Sequence, residues 1–188
     1  MIAHNQGALL NASRLATALM VSAQTTTRYI DLLVDLLLVR RLKPYHHNVG
    51  KRVVKSPKVY IRDSGIVHAL LGLPDHNALS GHPVVGASWE GFVIENLLAA
   101  VPDLTVARFY RTSAGAEIDL VLEIQSHGLW AIDIKRGMSA PEKGFHIACE
   151  DVKPAKRFVV NSGSERYSIG KGLEAIGLTE MAATLSAL

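Results

Sequence analysis

Two short stretches near the start of the chain space their apolar residues as helices do. Asn11 or Ser13 can cap a first helix carrying Leu15 and Leu19, and Val21 and Ser22 mark a turn. Ser22 can then cap a second helix in which Ile30, Leu33, Val34 and Leu37 share one apolar face. The pattern next changes to two strand-like runs ending at Arg62, with Asn48-Val49-Gly50 near the turn of a hairpin. Asp63 or Ser64 caps a short helix through Val67, Leu70 and Leu71, after which GLPDHNALSGHP supplies turn residues and a polar connection. The expected organisation is therefore a module over 1–75 and a second domain over 76–188.

The second domain opens with an expected helix over 88–100, capped by Ser88, whose core face is Trp89, Phe92, Val93 and Leu97. Strands are expected over 105–111, 117–123 and 129–135, followed by a helix over 141–150 and a strand over 157–160. The last residues, LEAIGLTEMAATLSAL, give a short strand and a helix capped by Thr179. This α-β-β-β-α-β order predicts an α/β (α+β) protein with a mixed sheet and helices packed on its faces.

Composition narrows the setting. With 188 residues, 48% of them hydrophobic, the chain can bury one large core or two small ones. Its single cysteine, Cys149, has no partner for an internal disulfide, and MIAHNQGALL has no basic start and no long apolar core of a signal peptide. The most apolar run, 30–39, is broken by Asp31 and Asp35 and is much shorter than the ~20 residues that span a bilayer. A cytoplasmic location without a membrane segment is expected.

Net charge is only +3, but the cations are concentrated early. Between Arg40 and Arg62 stand Arg40, Arg41, Lys43, Lys51, Arg52, Lys55, Lys58 and Arg62, with no acidic residue among them. Such a run suits contacts to backbone phosphates. Gln24, Thr25, Thr27 and Arg28 open the second helix, the position from which a recognition helix reaches base edges in a major groove. Helix, turn, helix and basic hairpin together read as a winged helix with DNA as its partner. The alternatives are an ordinary helical hairpin with a solvated first turn, and a charged hairpin that is simply solvated or docks on an acidic partner.

Candidate chemistry lies in two strands. In AEIDLVLE, Ile118, Leu120 and Leu122 alternate with Glu117 and Asp119, and in AIDIK, Ile132 and Ile134 alternate with Asp133 and Lys135. Pairing these strands brings Asp119, Asp133 and Lys135 onto one face, and Glu90 or Glu95 from the preceding helix is the candidate for a further carboxylate. Carboxylates so grouped bind Mg²⁺ or Mn²⁺, with Asp119 and Asp133 as the ligands, and the metal activates water against a phosphodiester. Lys135 would neutralise developing negative charge. The bland alternative is a solvent-facing cross-strand ion pair of little energetic value.

Asp119 followed fourteen residues later by Asp133-Ile134-Lys135 resembles the D…(D/E)xK core of the PD-(D/E)xK nuclease superfamily, with Ile118 where the motif has proline. Across most of the chain, TTRYIDLLVDLLLVRRLKPY, KRVVKSPKVYIRDSGIVHALLG, WEGFVIENLL, and FYRTSAGAEIDLVLE with WAIDIKRG resemble the C-terminal region of AAA+ ATPases that carry a DUF4143 domain. The resemblance implies a winged helix and a nuclease-like domain following an ATPase module. No GxxxxGK[ST] phosphate loop is present: GSERYSIGKG has six residues between its glycines and ends in Gly172, so no ATP site and no ATPase activity are expected of this chain. Three functions stay open: a metal-dependent nuclease, a catalytically inactive DNA-binding or assembly module, and a regulatory segment that docks on an ATPase.

Weaker candidates read mostly as structure. Tyr110 and Arg111 stand just before the Asp119 strand and are candidates for phosphate contact, with packing and a solvated charge as the default. Lys143 reads as a helix-surface lysine, and Cys149 as a small hydrophobe. His76 and His82 lack the company and spacing of a zinc site.

Overall fold

A computed structural model describes residues 1–46 and 53–188. The expected hairpin turn at Asn48-Val49-Gly50, with Lys51 and Arg52, lies outside the described residues. The helices are α1 (Ala12–Leu19), α2 (Ala23–Asp35), α3 (Ser64–Leu70), α4 (His76–Ser80), α5 (Val85–Ala100), α6 (Lys143–Val152) and α7 (Leu178–Ser186). The strands are β1 (Val39–Pro44), β2 (Lys58–Ile61), β3 (Val106–Arg111), β4 (Glu117–Ile124), β5 (Gly128–Ile134), β6 (Lys156–Asn161), β7 (Tyr167–Gly170) and β8 (Leu173–Gly177). The chain is thus a mixed α/β protein, its strands running both parallel and antiparallel with helices on the flanks. Among the described residues no helix is long and apolar enough to cross a membrane.

Two compact units divide the chain. The first comprises Met1–Leu42 and Ser56–Phe92, the second Lys43–Lys55 and Val93–Leu188. In the first unit, capping side chains set the helix starts as the sequence suggests. Asn11 accepts from the Arg14 amide at 2.9 Å, Ser22 from Thr25 at 3.0 Å and Asp63 from Ile66 at 3.0 Å, each satisfying a donor that a helix start leaves open. The first four residues of β1 pair antiparallel with β2, from Val39↔Ile61 to Leu42↔Lys58. Ala3, Val39, Val59, Ile61, Val67 and Val84 form the core of this unit.

In the second unit, Lys43 and Pro44 of β1 run parallel to β3. The sheet continues β3-β4-β5-β6-β8-β7, antiparallel from β3 to β5, parallel from β5 to β8 and antiparallel again at the β7 edge. Val121 of β4, Ala131 of β5 and Val159 of β6 pack with Phe145, Ala148 and Cys149 of α6, so that helix covers one face of the sheet. Trp130 and Phe158, both buried, are tilted against each other at 5.4 Å. Each such large apolar side chain contributes about 1.5–3 kcal/mol by leaving water.

Several elements differ from the sequence pattern. Leu37 does not continue the apolar face of α2, because the helix ends at Asp35. Leu37 takes φ +59° and is 68% exposed, while the amides of Leu37 and Leu38 bond back to Val34 and Leu33. This is a helix-ending turn of the kind that normally places glycine at the left-handed position. Leu19 is also exposed. α5 starts at Val85, so Ser88 lies inside it, where its hydroxyl meets His68 Nε2 at 2.7 Å. Its fully buried positions are Val93, Ile94 and Leu97, whereas Phe92 is exposed. α4, capped by Asp75, stands in the expected linker, and β7 adds an edge strand beyond the expected set. α6 begins at Lys143 rather than 141, and α7 is preceded by Gly177 rather than capped by Thr179.

Candidate functional site

The β4–β5 ladder runs from Ile124↔Gly128 to Leu120↔Ile132. Asp133 shares the face of Ala131 that α6 covers, while β4 carries a bulge at 119–120: Arg108 pairs with Val121 but Tyr110 with Ile118, so Ile118 packs with Val121 on one face. The ladder changes at this bulge: Asp119 Oδ2 accepts from the Ile134 amide at 2.9 Å, a side chain taking a donor that a partner strand would otherwise use. On its other side β5 remains bonded to β6, with Asp133↔Val159 and Ile134↔Val160 in register and the Lys135 amide donating to Val160 at 2.9 Å. Asp119, Asp133 and Lys135 are brought together, but through the bulge and the Asp119 hydrogen bond rather than strict alternation, since Ile118 leaves the face of Leu120 and Leu122 to pack with Val121.

Their electrostatics are set by enclosure. Asp133 is only 5% exposed, and its Oδ2 has no well-directed hydrogen bond among the described residues. The Lys135 ammonium stands 3.4 Å from that oxygen, at ion-pair distance. Burial holds the Asp133 carboxyl above the ordinary carboxylate range, and the charge of Glu142 pushes the same way. The positive charge of Lys135 and the contact with Asp119 pull it back down without cancelling the rise. Glu142 Oε1 lies 3.9 Å from Lys135 Nζ and is itself 87% exposed. The sequence pattern did not single out Glu142; its only local signal is a position immediately before α6.

The remaining candidate carboxylates have other surroundings. Glu90 belongs to the first unit, where its Oε1 accepts from Lys58 Nζ at 2.9 Å and from the Tyr60 hydroxyl at 2.6 Å. Glu95 is half-buried on the part of α5 that belongs to the second unit. Among the described residues no three His, Cys, Asp or Glu side chains are grouped to hold a metal. A cation at Asp119 and Asp133 would therefore complete its shell with main-chain, water or substrate oxygens, which hard cations accept readily. The Oδ2 of Asp133 is the feature that fits such an ion, since it is buried and, apart from the ion-pair contact with Lys135, has no well-directed hydrogen bond among the described residues.

The nucleic-acid candidates divide by exposure. Gln24, Thr27 and Arg28 are exposed on α2 and Lys55 is exposed beyond β1, while Arg40 is half-buried. Thr25 serves the helix start through a 2.8 Å contact between its hydroxyl and that of Ser22, and the Thr27 hydroxyl donates to the Ala23 carbonyl. Arg41 pairs with Asp31, and Lys58 is 3% exposed with its ammonium directed at Glu90, so both cations are engaged within the first unit. Tyr110 is fully buried and donates to Asp151 Oδ2 at 3.0 Å, which withdraws it from any phosphate, and Arg111 pairs with Glu117 at 3.5 Å. Burial pushes the Cys149 thiol up to about 12, leaving it inert. Lys143 is exposed at the start of α6.

An α/β chain with two aspartates and a lysine gathered where two antiparallel strands part defines the class. The chain belongs to the family described as Domain of unknown function (DUF4143), whose model matches residues 85–181. Residues 1–77 match a second model, Domain of unknown function (DUF8612). Two relatives, each bearing the name uncharacterized protein, come from Mycobacterium bovis and Mycobacterium tuberculosis. Each is 38% identical over 186 residues, which is 98% of this chain and 42% of the relative. This chain thus spans less than half the length of these relatives. No solved structure matches it.

Proposed function

We propose that the chain is a nucleic-acid-binding protein whose second unit is a PD-(D/E)xK nuclease-like domain cleaving phosphodiesters with Mg²⁺ or Mn²⁺. The observation that carries this reading is the buried Asp133 Oδ2, without a hydrogen bond among the described residues, beside Asp119 and within 3.4 Å of the Lys135 ammonium. Asp119 and Asp133 would hold the ion. When bound, it supplies positive charge to the phosphate and acidifies a coordinated water. Lys135 is fixed by its place beside Asp133 and offers a proton or a positive charge to oxygens that gain negative charge in the transition state. Asp119 keeps the parting of β4 and β5 in place by holding the Ile134 amide. The first unit, with two capped helices and the β1–β2 hairpin, is read as a winged helix presenting Gln24, Thr27 and Arg28 to DNA.

A second reading rests on a different observation. Since no third ligating side chain is grouped with the aspartates among the described residues, and since the relatives are more than twice as long, the domain is also read as a catalytically inactive DNA-binding or docking module of a longer AAA+ ATPase. Calorimetric titration of Mg²⁺ and Mn²⁺ into the wild type and Asp119→Ala/Asp133→Ala, with cleavage of single-stranded, duplex and branched DNA followed in parallel, separates the two. Metal binding and cutting by the wild type alone support the nuclease. DNA binding by both proteins without metal uptake or cutting supports the inactive module.

A further inference from the structure

A groove of about 510 Å³ in the second unit is lined by the turn at 112–116 and by Lys143, Gly144 and Ile147 at the start of α6. Its walls are close because Gly144 has no side chain: a Cβ there would stand 2.8 Å from the Gly115 carbonyl oxygen. The turn itself needs glycine, with Gly115 at φ +89°. Within it the Gly115 amide donates to Thr112 and the Ala116 amide to the Thr112 hydroxyl. Ser113 and Ala114 are exposed residues, and their amides make no main-chain hydrogen bond among the described residues. Lys143 is the one charged side chain in the lining, and it makes no ion pair among the described residues. Small residues, two amides not taken by main-chain carbonyls and one ammonium form a surface suited to an oxyanion.

The groove is lined by the segments that lead into the aspartate site. Glu117 and Asp119 follow the turn on β4, and Glu142, which faces Lys135 at 3.9 Å, is the residue before Lys143. α6 covers the sheet face that Asp133 shares with Ala131. We infer that this groove seats a backbone phosphate of a nucleic-acid strand next to the one presented to Asp119, Asp133 and Lys135. Lys143 is then a positioning residue that fixes the strand in the site. The inference rests on the phosphodiester reading above and adds to it the subsite that orients the substrate.

The test uses Lys143→Ala and Lys143→Arg, with three readouts: cleavage of a fluorescein-labelled single strand, binding of that strand in the absence of metal, and amide NMR shifts on adding inorganic phosphate or a mononucleotide. Loss of one charge-assisted contact predicts a KM and a strand Kd raised about 5- to 10-fold in Lys143→Ala, with kcat within about 2-fold and recovery in Lys143→Arg. Phosphate should move the amides of Ser113, Ala114 and Gly115. If Lys143→Ala leaves strand Kd unchanged, the inference is overturned, and shifts by inorganic phosphate alone then mark a weak anion site only. If the wild type fails to cut while Lys143→Ala still weakens strand binding, the cleavage reading falls and the groove stands as a strand-binding site.

Discussion

The carboxylate of Asp119 bonds the Ile134 amide at 2.9 Å, so a side chain completes the hydrogen bonding of β5 where the β4 main chain has ceased to do so. Asp119→Ala removes this acceptor and leaves a partly buried amide unsatisfied, at a cost of about 1–2 kcal/mol. Asp119→Asn retains a carbonyl oxygen in the same place and is expected to lose less than half as much. Urea unfolding midpoints of the two variants check the difference, and equal losses would show that the bond carries no stability.

Asp133 predicts a pH dependence of stability in metal-free buffer. Its carboxyl is held above the ordinary range chiefly by burial, so the folded state binds this proton more tightly than the unfolded chain. The stabilisation is complete below the ordinary aspartate pKa and is lost as pH rises through the raised folded value. Asp133→Asn, which cannot ionise, is expected to unfold at a higher temperature than the wild type at neutral pH, with the advantage vanishing toward acid. Thermal unfolding in the presence of a chelator across that range is the measurement, and a wild type that gains on Asp133→Asn as pH rises refutes it.

Glu90 is expected to matter for stability within the first unit. Glu90→Ala takes an acceptor from both the buried Lys58 ammonium and the Tyr60 hydroxyl, costing about 3 kcal/mol. Replacing both members, Lys58→Met/Glu90→Met, should recover most of that loss, because the pair's own desolvation penalty disappears with it. A double-mutant cycle by denaturant unfolding gives the coupling, and additive single losses would contradict the pairing.

Leu37 occupies the left-handed position that ends α2, φ +59°, with most of its surface in water. Leu37→Gly relieves the steric cost of a Cβ there and sacrifices little burial, so a gain of about 0.5–1 kcal/mol is expected. A lowered unfolding midpoint would show instead that the leucine side chain is packed.

How far the sequence is legible follows from the range of the interactions. Asn11, Ser22 and Asp63 act within three residues, and the alternation in AIDIK is local, so these helices and the strands themselves could be read directly, whereas the bulge in β4 beside Asp119 leaves no mark in the letters. Leu37 kept the helical spacing of its neighbours, yet the backbone had already turned toward β1. Glu90 and Lys58 are 32 residues apart, and no periodicity joins them. Lys135 and Glu142 meet only because α6 begins beside the end of β5. β7 is only four residues long and exposed at every position, so the brief alternation of Tyr167 and Ile169 with Ser168 and Gly170 is too short to stand out as a strand.

The internal pairs of the first unit also change what the basic run amounts to. Of the eight lysines and arginines between Arg40 and Arg62, Arg41 and Lys58 spend their charge on Asp31 and Glu90. At most six cations are left to meet phosphates. On the proposed nucleic-acid reading, affinity through this segment should therefore fall with ionic strength less steeply than a count of its letters implies, by a logarithmic slope about two units shallower.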